Sequence, residues 1–189
     1  MGIGGWVIFG AAALLLVWAV AIYNRLVRLR ALVREGFSGI TVQLRRRADL
    51  VPNLVSTVEG YATHEREVLT QVTEHRADAV TASGVQATAQ ADTAFSAMLG
   101  RLMAVAEAYP DLKADDNFRQ LQTELTEIEE QLQGARRYYN ATVRDLNTRV
   151  QSFPDVLFAR PMGFGEEPFY SDDDASIQTA PKVSFGTAH

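Results

Sequence analysis

The chain has no cysteine, which removes disulfides, thiolate metal sites and a cysteine nucleophile together and leaves the redox compartment open. Histidine is scarce as well. His64, His75 and His189 are the only imidazoles, so a metal ligand or general base has few candidates. "HEREV" at His64 to Val68 begins like a zinc-protease motif but lacks a second histidine four residues after the first, and it fails as that signal. On one helix His64 and His75 would stand about 16 Å apart, too far to hold one metal, and they read as solvated helix histidines. No P-loop, Rossmann glycine pattern or G-x-S-x-G occurs. The acid pairs Glu129–Glu130 and Asp115–Asp116 read as exposed or capping residues rather than acid/base groups. Neither an enzyme nor a cofactor is expected. Period-2 apolar alternation of strand length is also missing, which points to an all-α fold.

Net positive charge is missing beyond the first fifty residues. Net charge is −5, yet residues 1–50 hold seven arginines against Glu35 and Asp49, a balance of +5 that leaves −10 for the remainder. A nucleic-acid binder carries a basic field over its folded domain, so nucleic acid is not an expected partner.

What is present first is an uncharged run, Ile3 to Ile22, twenty residues long. As a helix it would span about 30 Å, one hydrocarbon thickness, and residues 1–23 read as a transmembrane anchor. A cleaved signal peptide and a buried core helix are the alternatives. "AVA" at Ala19 to Ala21 resembles a small-x-small cleavage site, but no Lys or Arg precedes the run, which favours the uncleaved anchor. Arg25, Arg28, Arg30 and Arg34 follow at once. The positive-inside bias then sets the amino terminus outside and the domain in the cytoplasm of a single-pass membrane protein. Such arginines also suit anionic headgroups, at about 1 kcal/mol each. Gly5, Ala12 and Ala19 recur every seventh residue, a small-residue stripe on which two anchors could pack; Ala-rich runs also produce such stripes by chance.

Beyond the anchor, Leu44, Ala48, Val51, Val55, Val58, Ala62, Leu69 and Val72 step by helical spacings. Arg45, Arg46 and Arg47 lie between the seam positions 44 and 48 and read as an outer face, either solvated or touching lipid phosphate or an acidic partner. Pro52 removes an amide donor and crowds the carbonyl of Ala48, so a bend is expected there. Ala91, Phe95, Met98, Leu102, Val105 and Tyr109 form a second stripe. Phe118, Leu121, Leu125, Ile128, Leu132, Ala135, Tyr139, Thr142 and Leu146 hold a seven-residue period over four heptads. Helices are expected over about 24–80, 87–109 and 115–152, as an antiparallel bundle domain of residues 24–153. Their unequal lengths leave part of a seam for the carboxy-terminal segment or a second copy to cover.

Four of the six prolines fall in residues 154–189, which excludes regular helix of any length there. Phe158, Phe164, Phe169, Tyr170 and Phe185 are too aromatic for a solvating tail. The segment reads as an irregular strap docked on the bundle or a neighbour. "SDDD" after it lacks the spaced ligands of a calcium loop. "NAT" at Asn140 has the glycosylation form but falls mid-helix and reads as coincidence.

The phrases "YNRLVRLRALVREGFSGITVQLRRRADLVPNLVSTVEGYATHE", "YPDLKADDNFRQLQTEL", "ARRYYNATV", "FPDVLFARPMGFGEEPFY" and "APKVSF" resemble the LemA family, in order, over nearly the whole chain from Tyr23 onward. The resemblance implies a four-helix bundle behind an amino-terminal anchor, and for some relatives a part in magnetosome membrane formation. Some relatives carry a lipoprotein cysteine ahead of the tyrosine-asparagine pair, and these lie outside the cytoplasm; a periplasmic domain is therefore the alternative topology. The expected function is a membrane-anchored scaffold that self-assembles into homo-oligomers and binds the bilayer and an unidentified membrane protein. The alternative is a regulatory adaptor or sensor for a membrane protease or other membrane protein.

Overall fold

The computed structural model describes residues 3–62 and 64–170 of the chain. Among these there are helices and no strand: α1 (Ile3–Glu59), α2 (Arg66–Thr81), α3 (Val85–Glu107), α4 (Pro110–Ala114), α5 (Asp116–Gln151) and α6 (Val156–Ala159). The local signals explain the ends of several. Asp115 caps α5 by accepting the Phe118 N–H at 3.0 Å, and Asp116 in the first turn and Arg149 in the last complement the helix dipole. Pro110 opens α4, where its missing N–H costs nothing. Gly84, just before α3, has φ +82°, a backbone that other residues adopt only under strain.

The expected single helix over 24–80 is corrected. α1 runs unbroken from the apolar stretch through Pro52 to Glu59, then the chain turns and α2 folds back along α1, bringing Arg76 to Ala48. Seam spacing could not reveal the reversal. Val58, Ala62, Leu69 and Val72 enter one core as they would if the helix had carried on. Pro52 is exposed within α1 and offers no N–H to the Ala48 carbonyl four residues earlier. Arg76 answers that carbonyl instead, its Nε donating at 2.6 Å.

The long helices α1, α2, α3 and α5 alternate in direction. α1 and α5 form the main antiparallel pair, with Arg46 on Gln131, Tyr61 on Asp115 and Gly36 under Tyr139, where an added Cβ would stand 3.1 Å from the Tyr139 Cα. Glycine at position 36 is what lets the two helices come that close.

The core falls into two parts. In the half remote from the apolar run, Ala48, Val51, Leu54 and Val58 of α1 pack with Leu69 and Val72 of α2, Phe95, Leu99 and Leu102 of α3, and Leu112 and Phe118. In the nearer half, Leu26, Val33, Ile40 and Leu44 pack with Leu132, Tyr139, Val143 and Leu146 of α5. Only the first turns of α3, through Val85 and Ala89, still reach this half, and Ala159, Phe164 and Tyr170 of the carboxy-terminal strap complete the core. The strap thus covers the seam left over by the unequal helices.

Candidate functional site

Two buried stripes carry a charge each. Ile40, Leu44, Arg47, Val51, Leu54 and Val58 on α1, and Thr88, Asp92, Phe95, Leu99, Leu102 and Ala106 on α3, alternate steps of four and three residues, and every member is buried. Arg47 and Asp92, both 1% exposed, meet where the two halves of the core join. Expectation is corrected here: Arg47 is not on an outer face with Arg45 and Arg46. α1 is contacted along a wide arc by α2, α3 and α5, so a residue off one seam stands on another. The trace of this pair in the sequence is an arginine and an aspartate each in step with an apolar stripe, a signal that reading one seam at a time misses.

Asp92 is saturated. Its Oδ1 pairs with Nη2 of Arg47, and its Oδ2 takes Nη2 of Arg136 from α5 and the hydroxyl of Tyr170 from the strap at 2.8 Å. Arg47 Nη1 also donates to Glu129 Oε2 and to Ser96 Oγ, both at 3.0 Å. Its guanidinium lies 5.2 Å from the Phe95 ring centre, and that of Arg136 lies 5.6 Å from the Tyr170 ring centre. Burial opposes the charge of Arg136, but Asp92, with Tyr170 and Glu129, outweighs it and holds the group above its ordinary value. Burial, then the charge and hydrogen bond of Asp92, push the Tyr170 phenol far above the usual tyrosine range. One carboxylate therefore ties α1, α3, α5 and the strap together.

The strap has no ladder of its own, so side chains of α5 satisfy its backbone. Asn147 exchanges two bonds with Glu167, Nδ2 to the carbonyl at 2.9 Å and Oδ1 from the amide at 2.8 Å. Asn140 Oδ1 accepts the Tyr170 amide at 2.9 Å, and Tyr139 donates to the Pro168 carbonyl at 2.8 Å. Burial, with the Glu167 charge, raises the Tyr139 phenol to about 12. The asparagine of "NAT" is thus a clamp on the strap. The role of Asn140 and Asn147 left no trace in the sequence, since it depends on where an irregular segment lies.

Of the strap aromatics, Phe164 and Tyr170 are buried, Phe158 is half-buried with its ring 5.6 Å from Trp18, and Phe169 is 37% exposed. Phe185 and the "SDDD" run lie outside the described residues. Arg25, Arg28, Arg34, Arg45 and Arg46 are exposed. Arg30 faces the strap rather than solvent: its Nη2 donates to the Gly163 carbonyl at 2.6 Å and its guanidinium lies 4.3 Å from the Phe164 ring centre. Gly5 and Ala12 are exposed and Ala19 half-buried. His64 sits in the turn before α2 rather than on a helix shared with His75.

These features define a class of protein: a strapped antiparallel helical bundle whose first helix is long and apolar enough to cross a membrane. Residues 36–185 match the LemA family, and the chain belongs to it. Magnetosome proteins MamQ 1 and MamQ 2 of Paramagnetospirillum magneticum are each 26% identical over 179 residues, covering 81% of this chain and 66% of their own length. Protein LemA of Metamycoplasma hominis is 27% identical over 135 residues, covering 69% of this chain and 60% of its own. The chain therefore spans just under two thirds of these relatives.

Proposed function

We propose that this protein is a membrane-anchored scaffold that self-assembles and holds protein partners at a bacterial plasma membrane, with its bundle on the cytoplasmic side. The observation that carries this reading is the continuity of α1. The apolar run and the central rod of the bundle are one helix from Ile3 to Glu59, about 85 Å long. A bundle so joined has no linker in which to swivel, so it presents fixed faces at a fixed height, as a scaffold requires. Exposed Gly5 and Ala12 offer a close-packing stripe for a second anchor. The exposed Arg25, Arg28 and Arg34 support the cytoplasmic side through the positive-inside bias. Kinship with proteins named for the magnetosome agrees with an assembly role.

Crosslinking in native membranes tests the reading. A ladder of homo-oligomers is expected; a single product with one foreign protein would overturn self-assembly. The side is tested by protease added to intact spheroplasts, where the bundle should survive until the membrane is opened.

A second reading, an adaptor for another membrane protein, draws support from a groove between α3 and α5. Leu99, Gly100, Met103 and Leu125 line it, with Arg47, Ser96 and Glu129 at its edge. The foreign-protein product in the same crosslinking experiment favours this reading.

A further inference from the structure

We propose that α6 and the residues leading into it form a second membrane contact, a short apolar wedge immersed at the bilayer interface beside the spanning part of α1. The proposal rests on the reading of the apolar run as the span. Trp18 lies within that uncharged run, seven residues before Arg25, and so about 10 Å deeper along the helix axis. Side chains on a helix lean toward its amino terminus, which carries the indole deeper still. Against this ring Phe158 of α6 packs edge to face, centroids 5.6 Å apart at 82°. Whatever depth Trp18 has in the membrane, Phe158 shares. One turn farther out Tyr23 meets Phe164 at 5.7 Å, and beyond it Arg30 holds the Gly163 carbonyl, so the strap is pinned to α1 at successive heights and cannot lift away from Trp18 alone.

The outer surface of this element suits lipid. Phe153 is 80% exposed and Leu157 60%, and Trp18, the α1 partner of Phe158, is itself 42% exposed. Four of its amides are already satisfied within the element. Val156, Leu157, Phe158 and Ala159 donate their amides to Ser152, Pro154 and Asp155 carbonyls at 2.8–3.1 Å, and Pro154 has no amide to satisfy. Internally bonded backbone is the condition for immersion in hydrocarbon. The one carboxylate of the element, Asp155, is buried and faces Arg149 at 3.4 Å, whereas Arg160 is exposed, available to a lipid phosphate. Large apolar side chains with arginine at their margin, on an element packed against a span, match an anionic bilayer interface.

The absence of cysteine permits a clean test. Single variants Phe153→Cys, Leu157→Cys, Leu15→Cys and Val42→Cys of the full chain carry an environment-sensitive fluorophore in vesicles of phosphatidylethanolamine and phosphatidylglycerol with doxyl-labelled lipid. Labels at 153 and 157 should be quenched by lipid several-fold more than at Val42, approaching Leu15. Labels at 153 and 157 that behave like Val42 and are reached by aqueous iodide overturn the proposal. So does shielding from both quenchers, which would mean that protein covers the element. Failure at Leu15 as well would overturn the anchor reading itself, a distinguishable result. All four substituted positions are exposed, so helicity should be unchanged, and either 153 or 157 alone suffices.

Discussion

The half of the bundle remote from the apolar run and the half next to it share the same two rods, α1 and α5, and are closed in different ways. In the remote half, α2 and α3 lay helical faces over the seam and bring their own satisfied backbones. In the near half a strap with almost no regular structure does the covering, and Tyr139, Asn140, Asn147 and Arg30 must each hold its backbone in place. Helical cover depends on periodic apolar residues and tolerates change at any one of them; irregular cover depends on a few specific polar contacts. Asp92 stands where the two meet and is bonded to both.

The comparison breaks most severely if the strap loses its anchors. Phe164→Ala with Tyr170→Ala should each cost about 3–5 kcal/mol. Hydrogen exchange should then accelerate at residues 26–44 and 132–146 while residues 95–106 stay protected; loss in both halves together would mean that they fold as one unit. Asp92→Ala should cost about 3–5 kcal/mol, because it leaves Arg47 and Arg136 buried without their shared partner. Unlike the strap variant it should weaken both halves, seen as one lowered thermal transition by circular dichroism in detergent.

Within the remote half, Arg76→Ala should cost about 1–3 kcal/mol by orphaning the Ala48 carbonyl. The same change in a Pro52→Ala background should cost much less, since the restored N–H then answers that carbonyl; equal costs in both backgrounds would sink this account. The smallest effect separates the halves by pH. A phenol raised to about 12 in the fold from an ordinary value near 10 favours the folded state below pH 10 and loses that contribution as pH climbs toward 12. Tyr170 shifts in the same direction. Strap docking should therefore be indifferent to pH near neutrality and fail above about pH 10, and Tyr139→Phe should cost about 1 kcal/mol and shallow that alkaline loss.

Much of this architecture is written in periodicity. The heptads from Phe118 to Leu146 are read correctly residue by residue, because a helix face turned to a core leaves a repeat whatever the partner is. The strap's Phe164 and Tyr170 stood out by being aromatic where prolines forbid a long helix; the single turn of α6 is all that fits between Pro154 and Pro161. What failed was reading faces from one seam at a time. Arg47 was set outside by its distance from Leu44 and Ala48, although it lies in step with Ile40, Leu44 and Val51 on a second seam. The hairpin at Gly60 was invisible for the opposite reason, since both of its arms feed one core.

The amino-acid order by itself determined that the described residues form helices and no strand, that residues 3–22 are a run able to cross a bilayer, and which apolar side chains of α5 turn inward, because these follow from local spacing and hydrophobicity. Only the tertiary structure decided that Arg76 would complete the backbone at Pro52 and that one aspartate would gather two arginines and a tyrosine. Those pairings join residues 28 to 78 positions apart, and no local rule reaches that far. Close packing of the helices, which leaves a buried polar group no water to turn to, selected them.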